Sequence, residues 1–254
     1  MKLTFLGTGT SQGVPVISCK CRVCRSADSR DKRLRTSALV TLDDGSNLLI
    51  DIGPDFREQM LREDVDHVEG ILVTHAHRDH VAGLDDVRAF NFVQGQRMHL
   101  YANKEAVGIL KNDFAYIFTG PQYPGLPEVD LHEVGQEPFE VAGQRIVPIH
   151  AMHKSMTVMG FRIGELAYLT DVNHIEAQEL DKLRGVKVMV INALRHEKHF
   201  SHFCLEEALE VIAEVSPQEA YLTHLSHDYG LYEECVDELP KNVHMAYDGL
   251  KIEI

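Results

Sequence analysis

No run of about 18 consecutive apolar residues occurs in the sequence, so no membrane-spanning helix is predicted. The opening MKLTFLGTGT carries one lysine and no small-residue cleavage pattern, and reads as a strand and turn rather than a secretory leader. The expectation is a soluble, cytoplasmic protein. Positive charge is scarce: 25 Lys and Arg stand against 39 Asp and Glu, a net charge of −14. The acidity is spread along the chain, with no acidic tail. Such a field repels a phosphate backbone and argues against broad nucleic-acid binding. It leaves room for a small anionic substrate, because bound metal ions would reverse the field locally. Cysteine is sparse, at five residues, and a chain of 254 residues can bury a core without disulfide staples. There is no internal repeat and no low-complexity segment. GTGTSQG (7–13) lacks the GxxxxGK[ST] form, and no dinucleotide-type GxGxxG is present, so its glycines are read as tight-turn residues.

What remains is a mixed pattern of short strands and helices. Residues 2–6 alternate as a strand. Residues 7–36 form a loop rich in Gly, Ser, Cys and Arg, too long to be structureless unless something organises it. Segments 37–42 and 47–50 flank DDGS, a hairpin signal. Helical spacing is predicted over 55–63, 84–93, 104–114, 175–183, 205–215 and 231–238. Strands are predicted at 71–74, 98–102, VDLHEV, GQRIVPIH, the pair VMGFRIG and ELAYLT, then VKVMVIN, EAYLTH and two short final strands. Residues 119–128 hold three prolines and two glycines and must be a loop, a candidate rim or lid. Hairpins with strand–helix alternation between and after them suggest α/β class: two mixed β-sheets packed face to face with helices outside.

Histidine is abundant, at fifteen residues, and its placement is more telling than its number. HAHRDH (75–80) follows the apolar strand ILVT, where side chains at a strand end can converge. His75 and His77, two apart, can bend towards one ion, while Asp79 and His80 reach a second. Four candidate ligands in six residues set this motif apart from a loop that is merely polar.

HxHxDH after a strand resembles the signature of the metallo-β-lactamase fold superfamily, an αββα sandwich with metals at its edge. Later residues continue the resemblance in order, over the whole chain: His153 in MHKSM, Asp171 in YLTDV and His224 in YLTHLSH. It implies that His75, His77 and His153 hold one metal, that Asp79, His80 and His224 hold the second, and that Asp171 bridges them. His150 competes with His153, and Asp171 alone could be a helix cap. His67, His99, His132, His174, His196 and His244 are read as surface or supporting residues.

GTGTSQGVP, CKCRVC (19–24) and the late THLSH further resemble the cyclic-phosphate phosphodiesterases of the carbon–phosphorus lyase pathway. That resemblance implies a structural zinc on Cys19, Cys21, Cys24 and His227, knotting the 7–36 loop to the C-terminal half. Cys₃His is a standard closed zinc set, and in a cytosolic chain a metal is preferred over a disulfide or redox role. Cys204 and Cys235 read as ordinary thiols. His202 lies just before a helix and matches a histidine thought to act beside the metals, donating a proton to the leaving oxygen or stabilising phosphoryl charge; the other reading is that it borders the helix. His199 is a second choice for that role. Lys154, Ser155 and Arg78 are candidate phosphate or sugar contacts, and Tyr116 and Tyr123 candidate stacking groups.

The expectation is therefore a single domain, 1–254, acting as a dinuclear metal-dependent hydrolase with two divalent ions (Mn or Zn) and one structural Zn. The first reading is a phosphodiesterase opening a small cyclic phosphate, of phosphoribosyl cyclic phosphate or cyclic-nucleotide type. Asp79, Asp171 and His202 carry the catalysis. Alternatives are a ribonuclease like the tRNA 3′-end-processing enzymes, for which no basic arm is seen, a thioester or lactone hydrolase of the same fold, and a non-enzymatic metal-bound scaffold. Dimerisation is common among such relatives, but the sequence shows no unambiguous interface for a homodimer.

Overall fold

The computed structural model describes residues 1–121 and 123–254. Among these, β1 (Lys2–Gly7), β2 (Ser37–Thr41), β3 (Asn47–Ile50), β4 (Gly70–Leu72), β5 (Met98–Ala102) and β6 (Val129–Glu133) form one sheet in chain order. The first two pairings are antiparallel and the last three parallel. The second sheet contains β7 (Phe139–Val141), β8 (Gln144–His153), β9 (Met156–Ile163), β10 (Leu166–Tyr168), β11 (His174–Ile175), β12 (Val188–Asn192), β13 (Glu219–Thr223) and β14 (Val243–Met245). Strands β10, β12, β13 and β14 run parallel. The last strand, β15 (Lys251–Glu253), returns to pair antiparallel with β1.

Three apolar layers explain the αββα arrangement. Leu3, Phe5, Leu48, Phe161, Tyr168 and Val190 meet between the sheets. Leu49, Ile71, Phe56, Phe90 and Leu110 pack the first sheet against its helices, and Met189, Ile191, Leu222, Ala208 and Ile212 do the same for the second. Leu48 and Ile50 thus face inward while Leu49 faces outward, and all four residues of β3 are buried. A strand covered on both faces reads as a continuous apolar run rather than an alternation, which is why NLLI, GIL and VMVIN stand out in the sequence.

The parallel strands β3, β4, β10, β12 and β13 deliver their C-terminal ends to one edge of the sandwich. In open α/β sheets ligands bind outside such ends. Met159 donates its N–H to the Thr74 carbonyl at 2.9 Å, joining the two sheets at this edge.

The local predictions fail mainly at short elements. Residues 84–94 divide into a 3-10 turn, Leu84–Val87, and a helix, Arg88–Gln94. The helix expected over 175–183 shrinks to Ala177–Asp181, and a four-residue helix, Arg78–Val81, begins inside the HAHRDH motif. Strands β7 and β11, of three and two residues, were not anticipated. The long loop of residues 7–36 is organised. Gly9 bridges both Arg35 and Leu225, and Val14 bridges Arg33. The buried Arg33 guanidinium donates to the Thr8 hydroxyl at 2.8 Å and to the Ala246 carbonyl at 2.6 Å. Of the 119–128 loop, residue 122 lies outside the described residues.

Candidate metal centres

The candidate ligands of the histidine cluster sit at strand ends or in the turns that follow them. His75 and the rest of its motif follow β4; His153 ends β8; Asp171 follows β10; His224 follows β13. The backbone there is unusual. Asp171 and His224 have φ of 60° and 56°, and Lys154, just after His153, 59°. Non-glycine residues in this left-handed region are uncommon, and they cluster where function holds the chain in place. Asp171 is fixed on its C-terminal side by Asn192, which accepts from the Val172 N–H at 2.7 Å and donates back to its carbonyl at 3.0 Å. His202 is set by its neighbour Phe203, whose N–H donates to the Val172 carbonyl at 2.7 Å and whose carbonyl accepts from Leu194 at 3.0 Å.

These chain ends bring the predicted ligands together. Three sets of ligand atoms lie within 4.8 Å of one another: His75, His80 and Asp171; Asp79, Asp171 and His224; His153, Asp171 and His202. Asp171 belongs to all three. Its Oδ1 is 3.0 Å from His224 Nδ1 and 3.3 Å from His80 Nε2, and its Oδ2 is 3.9 Å from both His75 Nε2 and His202 Nδ1. His77 joins through His75, Nδ1 to Nε2 at 3.0 Å. Nitrogens bound to one ion at about 2.1 Å stand roughly 3.0–3.4 Å apart, so this spacing suits a shared cation. His153 rather than His150 faces the cluster. Its ring lies 5.7, 5.2 and 4.7 Å from those of His75, His77 and His202, whereas His150 Nε2 is taken by the Gly135 carbonyl at 3.1 Å.

Donor and acceptor counting calls for a proton or a cation here. The buried Asp51 carboxylate accepts from His80 Nδ1 at 2.7 Å and from the Thr74 hydroxyl at 2.7 Å. One proton of His80 is therefore on Nδ1, and its Nε2 faces Asp79 Oδ2 at 3.1 Å and Asp171 Oδ1 at 3.3 Å. That nitrogen is buried without a hydrogen-bond partner, as are His153 Nδ1 and His202 Nδ1. With Nε2 unprotonated, three acceptors would converge in a dry site and repel one another unless a metal ion lay between them. The electrostatics carry the same strain. Burial opposes charge on His80, but Asp171, Asp79 and Asp51 raise its pKa well above the ordinary imidazole value. Burial also opposes the Asp171 carboxylate, yet His224 and His80 hold its pKa well below the usual range. Burial, reinforced by His80, keeps His75 well below. The donor set, nitrogen with carboxylate, suits zinc, manganese or iron.

Asp51, Thr74, Thr36 and Gly53 were not singled out from the sequence. Asp51 directly follows β3, at a strand end like the ligands, and that position was its only signal. Through Thr74, whose oxygen also lies 3.0 Å from His75 Nδ1, Asp51 orients both His75 and His80. Thr36 Oγ1 lies 3.1 Å from His224 Nδ1, the same nitrogen that faces Asp171, and so steadies that ring. A Cβ on Gly53 would lie 2.1 Å from the Asp79 carbonyl, so only glycine lets β3 and the motif approach this closely. Carboxylates behind ligand histidines are worth about 10- to 100-fold in metal affinity. Asp51→Asn should weaken divalent-ion binding by that order without unfolding the chain, as read by metal titration calorimetry.

A second cluster holds Cys19, Cys21, Cys24 and His227, also within 4.8 Å. His227 Nδ1 is 3.4 Å from the sulfurs of Cys19 and Cys21. Zinc bonds of about 2.3 Å to sulfur and 2.0–2.1 Å to nitrogen give tetrahedral edges of roughly 3.5 Å, so this set fits zinc. Burial opposes the Cys21 thiolate, but the Cys24 N–H and the His227 ring bring its pKa down to about 6. The Cys24 thiol is pushed up to about 11, chiefly by burial. Thiols this close do not all ionise without a cation.

Between the clusters lies a cavity of about 320 Å³, lined by Ser11, Gln12, Arg195, His199, His202 and Asp228 among others. The GTGTSQG segment therefore forms one of its walls. Burial, then the His224 charge, pulls the His202 pKa down to about 3. Other sequence candidates lie elsewhere. Arg78 pairs with Asp113 at 3.1 Å, and the Tyr116 hydroxyl donates to Asp85 at 2.6 Å. Tyr123 and Ser155 are exposed.

Comparison with known proteins extends this picture. The family model described as a beta-lactamase superfamily domain matches residues 46–225. A crystal structure described as a new diphosphatase from the PhnP family superposes with a TM-score of 0.93 at 40% identity, covering 100% of this chain and 97% of that one. Zn(2+)-bound PqqB from Methylobacterium extorquens superposes with a TM-score of 0.80, covering both chains in full, at 20% identity, which speaks to the fold alone. A protein named octanoyltransferase, from Porphyromonas gingivalis, is 41% identical over 253 residues, 99% of this chain and 51% of that protein. The chain spans about half the length of the curated relatives it matches.

Proposed function

The chain belongs to the metallo-β-lactamase superfamily and, within it, to the PhnP family, and from that premise we propose that it is a dinuclear metal-dependent phosphodiesterase acting on a small cyclic phosphate. The observation that carries this reading is His80 Nε2, buried and facing the oxygens of Asp79 and Asp171. A carboxylate on each side of one imidazole makes room for a second, harder ion beside the histidine-rich one, and diester hydrolysis gains most from a pair.

His75, His77 and His153 would hold one ion, Asp79, His80 and His224 the other, with Asp171 between. When bound, the ions supply Lewis acidity that acidifies water and polarises phosphoryl oxygens. The chain's own residues do the rest. Asp51 and Thr74 fix the imidazole tautomers, so that their free nitrogens face inward. Asp171 holds four imidazoles around one carboxylate. His202 lines the cavity and is the group placed to pass a proton to the leaving oxygen. It is neutral beside the histidine cluster, and an anionic phosphoryl group entering the cavity would favour its protonated form. Cys19, Cys21, Cys24 and His227 would hold a structural zinc that keeps the wall at 7–16 in place.

The PhnP-family diphosphatase supports phosphoryl chemistry. The octanoyltransferase name belongs to a protein about twice this length. Acyl transfer through a covalent intermediate asks for an activated nucleophile, and burial raises the thiol pKa of Cys204 and Cys235, the two cysteines outside the Cys₃His cluster.

The test is hydrolysis of bis(p-nitrophenyl) phosphate by manganese-loaded and chelator-stripped protein. Turnover should fall by about a hundredfold or more on stripping and return with manganese. A folded, manganese-loaded protein that cleaves thioesters or lactones but no diester would overturn the assignment.

A further inference from the structure

A series of rings leads out of the metal cluster to the surface. The His224 ring stacks on His202 at 5.0 Å and 24°. His202 lies 5.3 Å from His199 at 31°, and His199 lies 4.4 Å from Phe200 at 36°. Phe200 ends the series with 69% of its surface exposed. Single exposed apolar residues are common and need no explanation, but this ring is held in place. The Lys154 ammonium sits 5.3 Å over its centroid. Asn173 ties the two loops together, accepting from the Lys154 N–H at 2.7 Å and donating to the Phe200 carbonyl at 3.4 Å.

We infer that Phe200, with His199, is a stacking subsite that selects substrates carrying a planar heteroaromatic base, that is, a nucleotide-type phosphodiester. This deepens the phosphodiesterase reading and rests on it. Three features fit this occupant. One ring flanked by charges is too small a platform for a protein partner but matches one base. Lys154 and Arg195, which lines the adjoining cavity together with Asp228, place two cations beside the ring in a chain of net charge −14, as suits an anion with an aromatic substituent. The Arg195 guanidinium is loosely held, with carbonyls of Glu197 and Lys198 at 3.4 and 3.5 Å and Asp228 at 3.9 Å, so it keeps charge to offer. Aromatic faces accept any base, so the subsite distinguishes base from no base rather than one base from another.

The experiment compares adenosine 2′,3′-cyclic phosphate with ribose 2′,3′-cyclic phosphate, which presents the same reacting ring without the base, using the manganese-loaded full chain. The wild type should favour the adenosine substrate. Phe200→Ala should lower kcat/KM for it by about five- to a hundredfold, mainly through KM, so that the preference between the two substrates collapses. Phe200→Tyr should retain it. Saturation-transfer NMR with adenosine 5′-monophosphate and zinc-loaded protein gives a readout free of turnover: the base protons should be enhanced more than the ribose protons, and Phe200→Ala should remove the difference. Absence of both the preference and the base enhancement overturns the subsite, even if both substrates are cleaved. Base enhancement that depends on Phe200, with neither substrate cleaved, sustains the subsite and overturns the phosphodiesterase reading.

Discussion

Cys21→Ser should cost the protein one equivalent of zinc and lower its melting temperature by about 10 °C or more. The size of the effect follows from how little apolar packing surrounds the cysteines of the loop at 7–36. Its apolar support is the small cluster of Val14, Val23 and Cys24, with Val16, Cys19, Cys21 and Leu231 packed against it. Two of its cysteines and His227 stand at tetrahedral spacing, and the Cys21 pKa of about 6 readies that thiol to receive a metal. Serine keeps the shape but gives up the soft, readily ionised ligand. The loss should also reach the other cluster. The loop delivers Thr36 to His224 and Ser11 and Gln12 to the cavity wall, so turnover should fall with zinc content. Cys235→Ser is the control. That thiol makes one long contact, to the Tyr229 carbonyl at 3.5 Å, and lies outside the cluster. Zinc analysis and a thermal melt of the two variants decide the matter. A Cys21→Ser protein with unchanged zinc and melting temperature would show that the thiols do not hold a metal.

What the sequence made legible was set by the parallel strands. Each delivers one residue to a common edge, so a ligand-type residue straight after a buried apolar run is a spatial statement as well as a local one. ILVT–His75, AYLT–Asp171 and AYLT–His224 all share that form. Asp51 after NLLI shares it too, yet it was passed over, because a supporting carboxylate has no companion at a fixed spacing to draw attention to it. Thr36 and Thr74 are harder still: a hydroxyl gains its role only when a distant imidazole arrives beside it. The Cys₃His set came with the family resemblance: CKCRVC crowds three thiols into six residues, but His227 lies about two hundred residues away and nothing local ties it to them. Strands of two or three residues, such as β11, are too short to show a period and owe their pairing to β8. Phe200, in a polar, histidine-rich stretch, belongs to no pattern, and only the fold shows which rings it continues.

Asp171→Asn should reduce phosphodiester turnover by about a thousandfold or more and leave the protein folded. Asparagine is the right replacement because position 171 has φ of 60°, and Asn tolerates the left-handed region where most side chains are strained. It also keeps the volume, so any loss reflects charge and hydrogen bonding rather than a cavity. The Asp171 carboxylate faces four imidazole nitrogens between 3.0 and 3.9 Å away. An amide removes the negative charge that two adjacent cations would share and aims N–H groups where lone pairs or ions belong. Bound divalent metal, measured by mass spectrometry after dialysis, should therefore fall from two equivalents at this site towards one or none. Excess manganese should restore little activity, because the remaining ligands can bind the ions singly but cannot hold them as a pair. The alternative role for Asp171, a cap for the segment that follows, predicts otherwise. Oδ1 accepts from the neighbouring Thr170 hydroxyl at 2.8 Å, a bond the amide oxygen of asparagine can still accept. A cap would lose little, and full metal content with activity within tenfold of the wild type would assign the residue to the backbone rather than to the metals.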